Sequence, residues 1–161
     1  MSNIWDELSD RIKGEVDELD RIVRRTEDVW EKARLYDDQQ DVFLDSVALN
    51  LHGFYSGIEK LFQLIAGKID KNIPASKTWH RDLLQKMTEE VSNVRPAVIN
   101  SCWLQKVDEL RRFRHLVRNV YTFNIVPAKI EPIVDALPEL WPHIKEELLA
   151  FADFLSAKKN S

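Results

Sequence analysis

From Ile4 to Tyr36 the chain contains no proline and one glycine, Gly14, while a set of its apolar residues falls mostly three or four apart. Those residues are Ile4, Leu8, Ile12, Val16, Leu19, Val23, Trp30 and Ala33. A strand would place every second residue on a face; only a helix of 3.6 residues per turn gathers this set into one stripe. Acids alternate with Arg and Lys on the opposite face, the pattern of an exposed flank. The rest of the chain is equally poor in turn formers. With 4 Gly and 6 Pro in 161 residues, it lacks the tight turns that a sandwich or barrel needs.

The same periodicity predicts further helices. Asp41–Ala66 is apolar nearly all round, which suits a central helix, and Gly67 is its expected C-cap. Gly53, Ser56 and Gly57 leave room there for a neighbouring helix to come close. After a loop with Pro74, Trp79–Val91 reads as a shorter helix with Thr78 as N-cap. Pro96 breaks the chain again, and Val98–Cys102 reads as a helical turn. Trp103 to about Phe123 is the fourth long helix. Pro127 and Pro132 bracket a short helical start. Pro138 and Pro142 fall near the first turn of a last helix that ends at about Ala157. The expected fold is all-α, an up-down antiparallel bundle of four to five helices forming one domain over residues 1–161.

Hydrophobic residues make up 44% and charged residues 31%, enough apolar material for a core. The single cysteine, Cys102, excludes an intrachain disulfide and a zinc–thiolate set, and is expected to be buried. The acidic start MSNIWDELSD has no apolar core of a signal peptide, and no run is long and apolar enough to span a bilayer, so a cytoplasmic location is expected. Phosphate-binding glycine loops and the GxSxG elbow are absent. His143 with Glu146 or Glu147 lacks the second Glu-x-x-His pair of a di-iron site. His52 and His80 read as structural histidines, and the five Trp as core residues. Neither a metal nor a cofactor is called for.

The net charge of −4 argues against a general nucleic-acid coat, but it is unevenly spread. Residues 103–130 carry net +4, and the remainder −8. Within them lies Leu110-Arg111-Arg112-Phe113-Arg114-His115-Leu116-Val117-Arg118-Asn119-Val120-Tyr121. On a helix, Leu110, Phe113, Leu116, Val117 and Val120 form the apolar stripe. Arg114, Arg118 and Tyr121 follow along one flank, with Arg111 a turn earlier; His115 and Asn119 lie one turn apart on the other side. Arg residues three and four apart repel, and few acids relieve them here, so the pattern points to an anionic partner. Arg binds phosphate or carboxylate bidentately, His moves protons near neutral pH, and Tyr donates to phosphate or stacks on a base. Together they suit metal-free phosphodiester chemistry on RNA. Pairing of these groups with acids of neighbouring helices is the other reading.

Arg114-His115-x-x-x-Asn119-x-Tyr121, on a late helix of a small all-α chain, resembles the motif of the HEPN superfamily. It is most similar to the HepT-like toxins that pair with a minimal nucleotidyltransferase (MNT) antitoxin. The apolar segment Leu51–Leu61, with its small residues, is similar to that family too. The resemblance implies a two-fold homodimer whose motif copies line a positive cleft. It implies a metal-independent endoribonuclease acting on tRNA or mRNA, within a toxin–antitoxin system. It implies Arg114, His115, Asn119 and Tyr121 as catalytic positions, beside which the Arg flank of the same helix makes Arg111 and Arg118 the expected phosphate contacts. It also implies neutralisation by transfer of AMP to Tyr121 from ATP. One position departs from the pattern: Asn119 stands where the family has His, and an amide takes up no proton. Three readings stay open. His115 supplies the imidazole; or the site binds RNA without cutting it, with Asn119 as a hydrogen-bonding group; or Asn119 is a change that inactivates a toxin. The alternative to an enzyme is a catalytically inactive nucleotide-, RNA- or protein-binding helical module.

Overall fold

The computed structural model describes residues 3–119 and 127–159. Five helices run through it: α1 Ile4–Leu35, α2 Gln40–Ile65, α3 Trp79–Met87, α4 Leu104–Asn119 and α5 Pro127–Lys159. No strand occurs among the described residues; the backbone pairing of Val91 with Arg95 is an isolated bridge closing a turn.

Pairings along the helices give their directions. Tyr36 meets Phe43 at the α1–α2 turn, while Leu19 lies against Gly57, so α1 and α2 are antiparallel. Ser9 bonds Ala152 and Ser156, and Asp20 bonds Trp141 and Lys145, so α5 runs antiparallel to α1. Lys106 faces Glu139 and Trp103 lies against His143, so α4 and α5 are antiparallel as well. The four long helices therefore form the expected up-down bundle, with short α3 packed between α2 and α4.

The core is the stripe of α1, both flanks of α2 and the inner face of α5. Val47, Leu51, Phe54, Tyr55, Ile58, Leu61, Phe62 and Ile65 are buried all round α2, as a central helix requires. Gly57 permits the close approach of α1, since a Cβ there would lie 2.9 Å from Leu19 Cδ2. Gly53 has open space instead, and Ser56 serves as a hydrogen-bonding group, described below. No described helix is long and apolar enough to cross a membrane.

Four sequence expectations differ from the structure. Gly67 does not end α2: one wider, π-type turn, Ala66–Asp70, follows, and Lys71 at φ 57° makes the left-handed stop. Helix α3 ends at Met87, because Ser92-Asn93-Val94 turns tightly, with Asn93 at φ 64°. Cys102 is exposed in a turn before α4. Most visibly, α5 begins at Pro127 and continues through Pro132, Pro138 and Pro142. Each ring removes an N–H and crowds the carbonyl four residues back. All three rings lie on the solvent face, so none of them takes a place in the core. The opposite face buries Ile130, Val134, Leu137, Leu140, Trp141, Ile144, Leu148, Phe151 and Leu155. Each such apolar side chain contributes about 1.5–3 kcal/mol, against about 3 kcal/mol per proline.

Candidate functional site

Helix α4 turns Leu110 and Phe113 into the core, and Val117 packs at its edge. Leu116, expected in that stripe, is 43% exposed. At 100° per residue it lies about 120° from Leu110, beyond the arc that α2 covers. Arg114 lies only about 40° from Leu110 on the same wheel, so its stem enters the bundle rather than leaving it. Its side chain is 17% exposed.

Helix α2 supplies what receives it. The Nε of Arg114 donates to Ser56 Oγ at 3.0 Å, and Nη1 lies 3.6 Å from Glu59 Oε1. Glu59 is the only acid in an otherwise apolar stretch of α2, and its side chain is 7% exposed. Its other oxygen, Oε2, accepts from the Tyr55 hydroxyl at 3.0 Å and lies 2.7 Å from His80 Nδ1. Burial, and then the Glu59 charge and hydrogen bond, push the Tyr55 phenol above its ordinary pKa, so it stays a donor. His80 comes from α3, and its ring stacks on Trp79 with centroids 3.5 Å apart. One carboxylate thus gathers a guanidinium, a phenol and an imidazole from three helices.

Arg111 points elsewhere. Its Nε donates to Asp108 Oδ1 at 2.6 Å, and Arg112 Nε lies 3.0 Å from Asp108 Oδ2. The crowding of like charges expected along α4 is therefore relieved: Asp108 reaches forward by three and four residues to hold two Arg, and Glu59 faces the third. An open groove of about 470 Å³ beside Asp108, lined also by Arg81, Asp82 and Cys102, has acids on its walls. His115 is exposed on α4. Arg118 and Asn119 are described only as the last backbone of α4, and Tyr121 lies outside the described residues. Ser56, Tyr55, Glu59 and His80 were not among the site residues expected from sequence. The signal for them was Glu59 itself, an acid at a position of α2 that the apolar periodicity turns into the bundle.

No group of three or more His, Cys, Asp or Glu side chains is placed to hold a metal among the described residues. What the arrangement offers is a cationic group held by one loose carboxylate contact and one hydroxyl, beside an imidazole whose Nδ1 is already occupied. An Arg so held can exchange its partner for a phosphate oxygen.

A family model described as HepT-like protein matches residues 46–155, a span that contains Ser56, Glu59, His80 and all of α4. The chain therefore belongs to the HepT-like family of HEPN proteins. No curated protein and no solved structure matches it.

Proposed function

We propose, with that membership as premise, that the protein is the toxin of a toxin–antitoxin pair, a metal-independent endoribonuclease acting on tRNA or mRNA in the cytoplasm. The observation that carries this reading is the state of Arg114. It is preorganised by Ser56 and held by Glu59 at 3.6 Å, short of a tight bidentate clamp. Preorganised positive charge of this kind stabilises the charge that develops on a phosphorane. Residues 1–161 act as one domain, and two copies form a homodimer that brings two Arg114–Arg118–Tyr121 flanks into one RNA cleft. His115 provides the imidazole on α4, and Arg118 a further phosphate contact. Arg111, paired with Asp108, contributes positive potential at the rim rather than a bare phosphate ligand. A nucleotidyltransferase antitoxin silences the toxin by transferring AMP from ATP to the Tyr121 hydroxyl.

The test combines RNA and partner. Purified protein in chelator is incubated with tRNA and with single-stranded RNA, and its mass in solution is measured. Cleavage by a dimer, lost in Arg114→Ala, supports the reading. Co-expression with a neighbouring nucleotidyltransferase should add AMP to the Tyr121 peptide. Asn119→His should raise cleavage if the amide is a lesion in the site. Cleavage only with added Mg²⁺, or RNA left intact by parent and variants alike, overturns it. The second reading, an RNA-binding module without chemistry, is favoured by the amide at position 119 and predicts binding that Arg114→Ala weakens, with no cleavage.

A further inference from the structure

We infer that His80, oriented by Glu59, is the general base of this site and performs the proton abstraction that Asn119 cannot. The inference rests on the ribonuclease reading above, but on residues outside the α4 motif.

The geometry fixes three properties of the imidazole. Nδ1 lies 2.7 Å from Glu59 Oε2, and a carboxylate oxygen only accepts, so Nδ1 carries the proton. In the neutral ring, Nε2 is then the atom with the available lone pair. The stack on Trp79 fixes the ring plane, so tautomer and orientation are both set before any substrate arrives. Finally, the side chain is 29% exposed, whereas Glu59 is 7% exposed. The carboxylate is inside and the imidazole reaches outward, which is the order a carboxylate–histidine dyad requires.

The dyad is tied to the phosphate-binding Arg by the same carboxylate. Glu59 holds His80 through Oε2 and Arg114 through Oε1. The imidazole and the guanidinium are therefore separated by no more than the width of one carboxylate and two contacts. Beside these, the carboxylate faces Tyr55, which remains a protonated donor, while Ser56 holds Arg114. Neither competes with His80 for a proton near neutral pH.

The reaction balances without a metal or an external reagent. Nε2 of His80 takes the proton of the ribose 2′-hydroxyl. The 2′-oxygen bonds to phosphorus, and the bond from phosphorus to the 5′-oxygen breaks. The 5′-oxygen leaves with a proton from water, giving a 2′,3′-cyclic phosphate and a 5′-hydroxyl. Arg114 meets the charge on the phosphorane, and Glu59 stabilises the imidazolium that His80 becomes. The His80 imidazolium then returns its proton to the hydroxide left by that water, which resets the base.

The experiment compares the full-length parent with His80→Gln, His80→Ala and Arg114→Ala. Each is assayed on a mixture of tRNA and single-stranded RNA in chelator, from pH 5 to 9, with RNA binding and thermal unfolding measured alongside. Gln retains a donor toward Glu59, so His80→Gln separates loss of the base from loss of the Glu59 contact, which His80→Ala removes as well. Both His80 variants should lose roughly 10²–10⁴-fold in cleavage rate. The acidic limb of the pH–rate profile should vanish with them, while RNA binding stays within about 2-fold of the parent. His80→Gln cutting at the parental rate overturns the inference, and so does a slower His80→Gln that keeps the acidic limb. In both cases an active parent leaves the ribonuclease reading standing. A parent that cuts nothing overturns the two together.

Discussion

Two buried carboxylates in this molecule face an arginine, and they do so in opposite ways. Asp70, at the end of the wide turn after α2, clamps Arg95 through two bonds of 2.6 and 2.8 Å. The Arg95 side chain is 0% exposed, and its remaining N–H groups go to the carbonyls of Glu89, Pro96 and Lys86. Lys86 adds a second cation near Asp70. Every donor is used, and nothing from solvent can enter. Glu59 shares its two oxygens among three side chains, and its Arg is partly open and one contact looser. The comparison separates a pair that holds three chain segments together from a pair that can exchange partners. A buried ion pair by itself says little about function; how completely its hydrogen bonds are satisfied says more.

The largest expected effect lies in the closed pair. Arg95→Ala leaves Asp70 with only the looser Lys86 contact at 3.7 Å and three carbonyls unpaired, and should cost about 3–5 kcal/mol in urea unfolding. An effect under about 1 kcal/mol would mean the two pairs are alike after all. Glu59→Gln comes next. It removes the charge that Tyr55, His80 and Arg114 share but keeps a side chain of the same shape. The expected cost is about 1–3 kcal/mol, read in the same titration. Arg114→Ala should cost about 1 kcal/mol or less, because Glu59 retains Tyr55 and His80. Its main signature is in binding: the slope of log affinity against log salt for RNA should shrink by about one phosphate contact. An unchanged slope would place the phosphate elsewhere.

Asp20 provides the smallest effect and a midpoint between the two. Burial pushes its carboxyl up, but the hydrogen bonds from Lys145 and Trp141 and the Lys145 charge outweigh that and hold it below the usual value of 3.8. A carboxyl with a lowered pKa stabilises the fold above its unfolded pKa and loses that contribution as pH falls through the folded one. Asp20→Asn should therefore be less stable at pH 7 by about 0.5–1 kcal/mol. The difference should close in thermal unfolding below pH 3.8. A gap that persists there would assign the loss to geometry rather than charge.

The bundle was legible in the sequence because long apolar stripes admit one period. The π-type turn was not, since the left-handed stop falls on Lys71 while a glycine lies nearby at position 67. Nor was the continuity of α5, because proline's local cost is visible in the sequence and the burial on the opposite face is tertiary. In the site, Arg114 was legible as a residue type but not as an inward one, although its offset from Leu110 already gave the direction. Asp108 was readable as a partner at three and four residues, since both spacings lie on one helix. His80 was not, because twenty-one residues and a loop separate it from Glu59, and periodicity carries no information across that distance.

The prolines of α5 have a consequence for the order in which the protein assembles. α1 and α2 meet through a short turn and can pair as soon as both exist, whereas three interior prolines leave α5 little helicity of its own. It becomes a helix by docking onto surfaces that α1 and α4 have already formed. During synthesis, then, the side of α1 that receives Trp141 and Ala152 stays wet until α5 has left the ribosome. In a folding experiment, substitutions that weaken the α1–α5 seam should speed unfolding and leave the folding rate nearly unchanged.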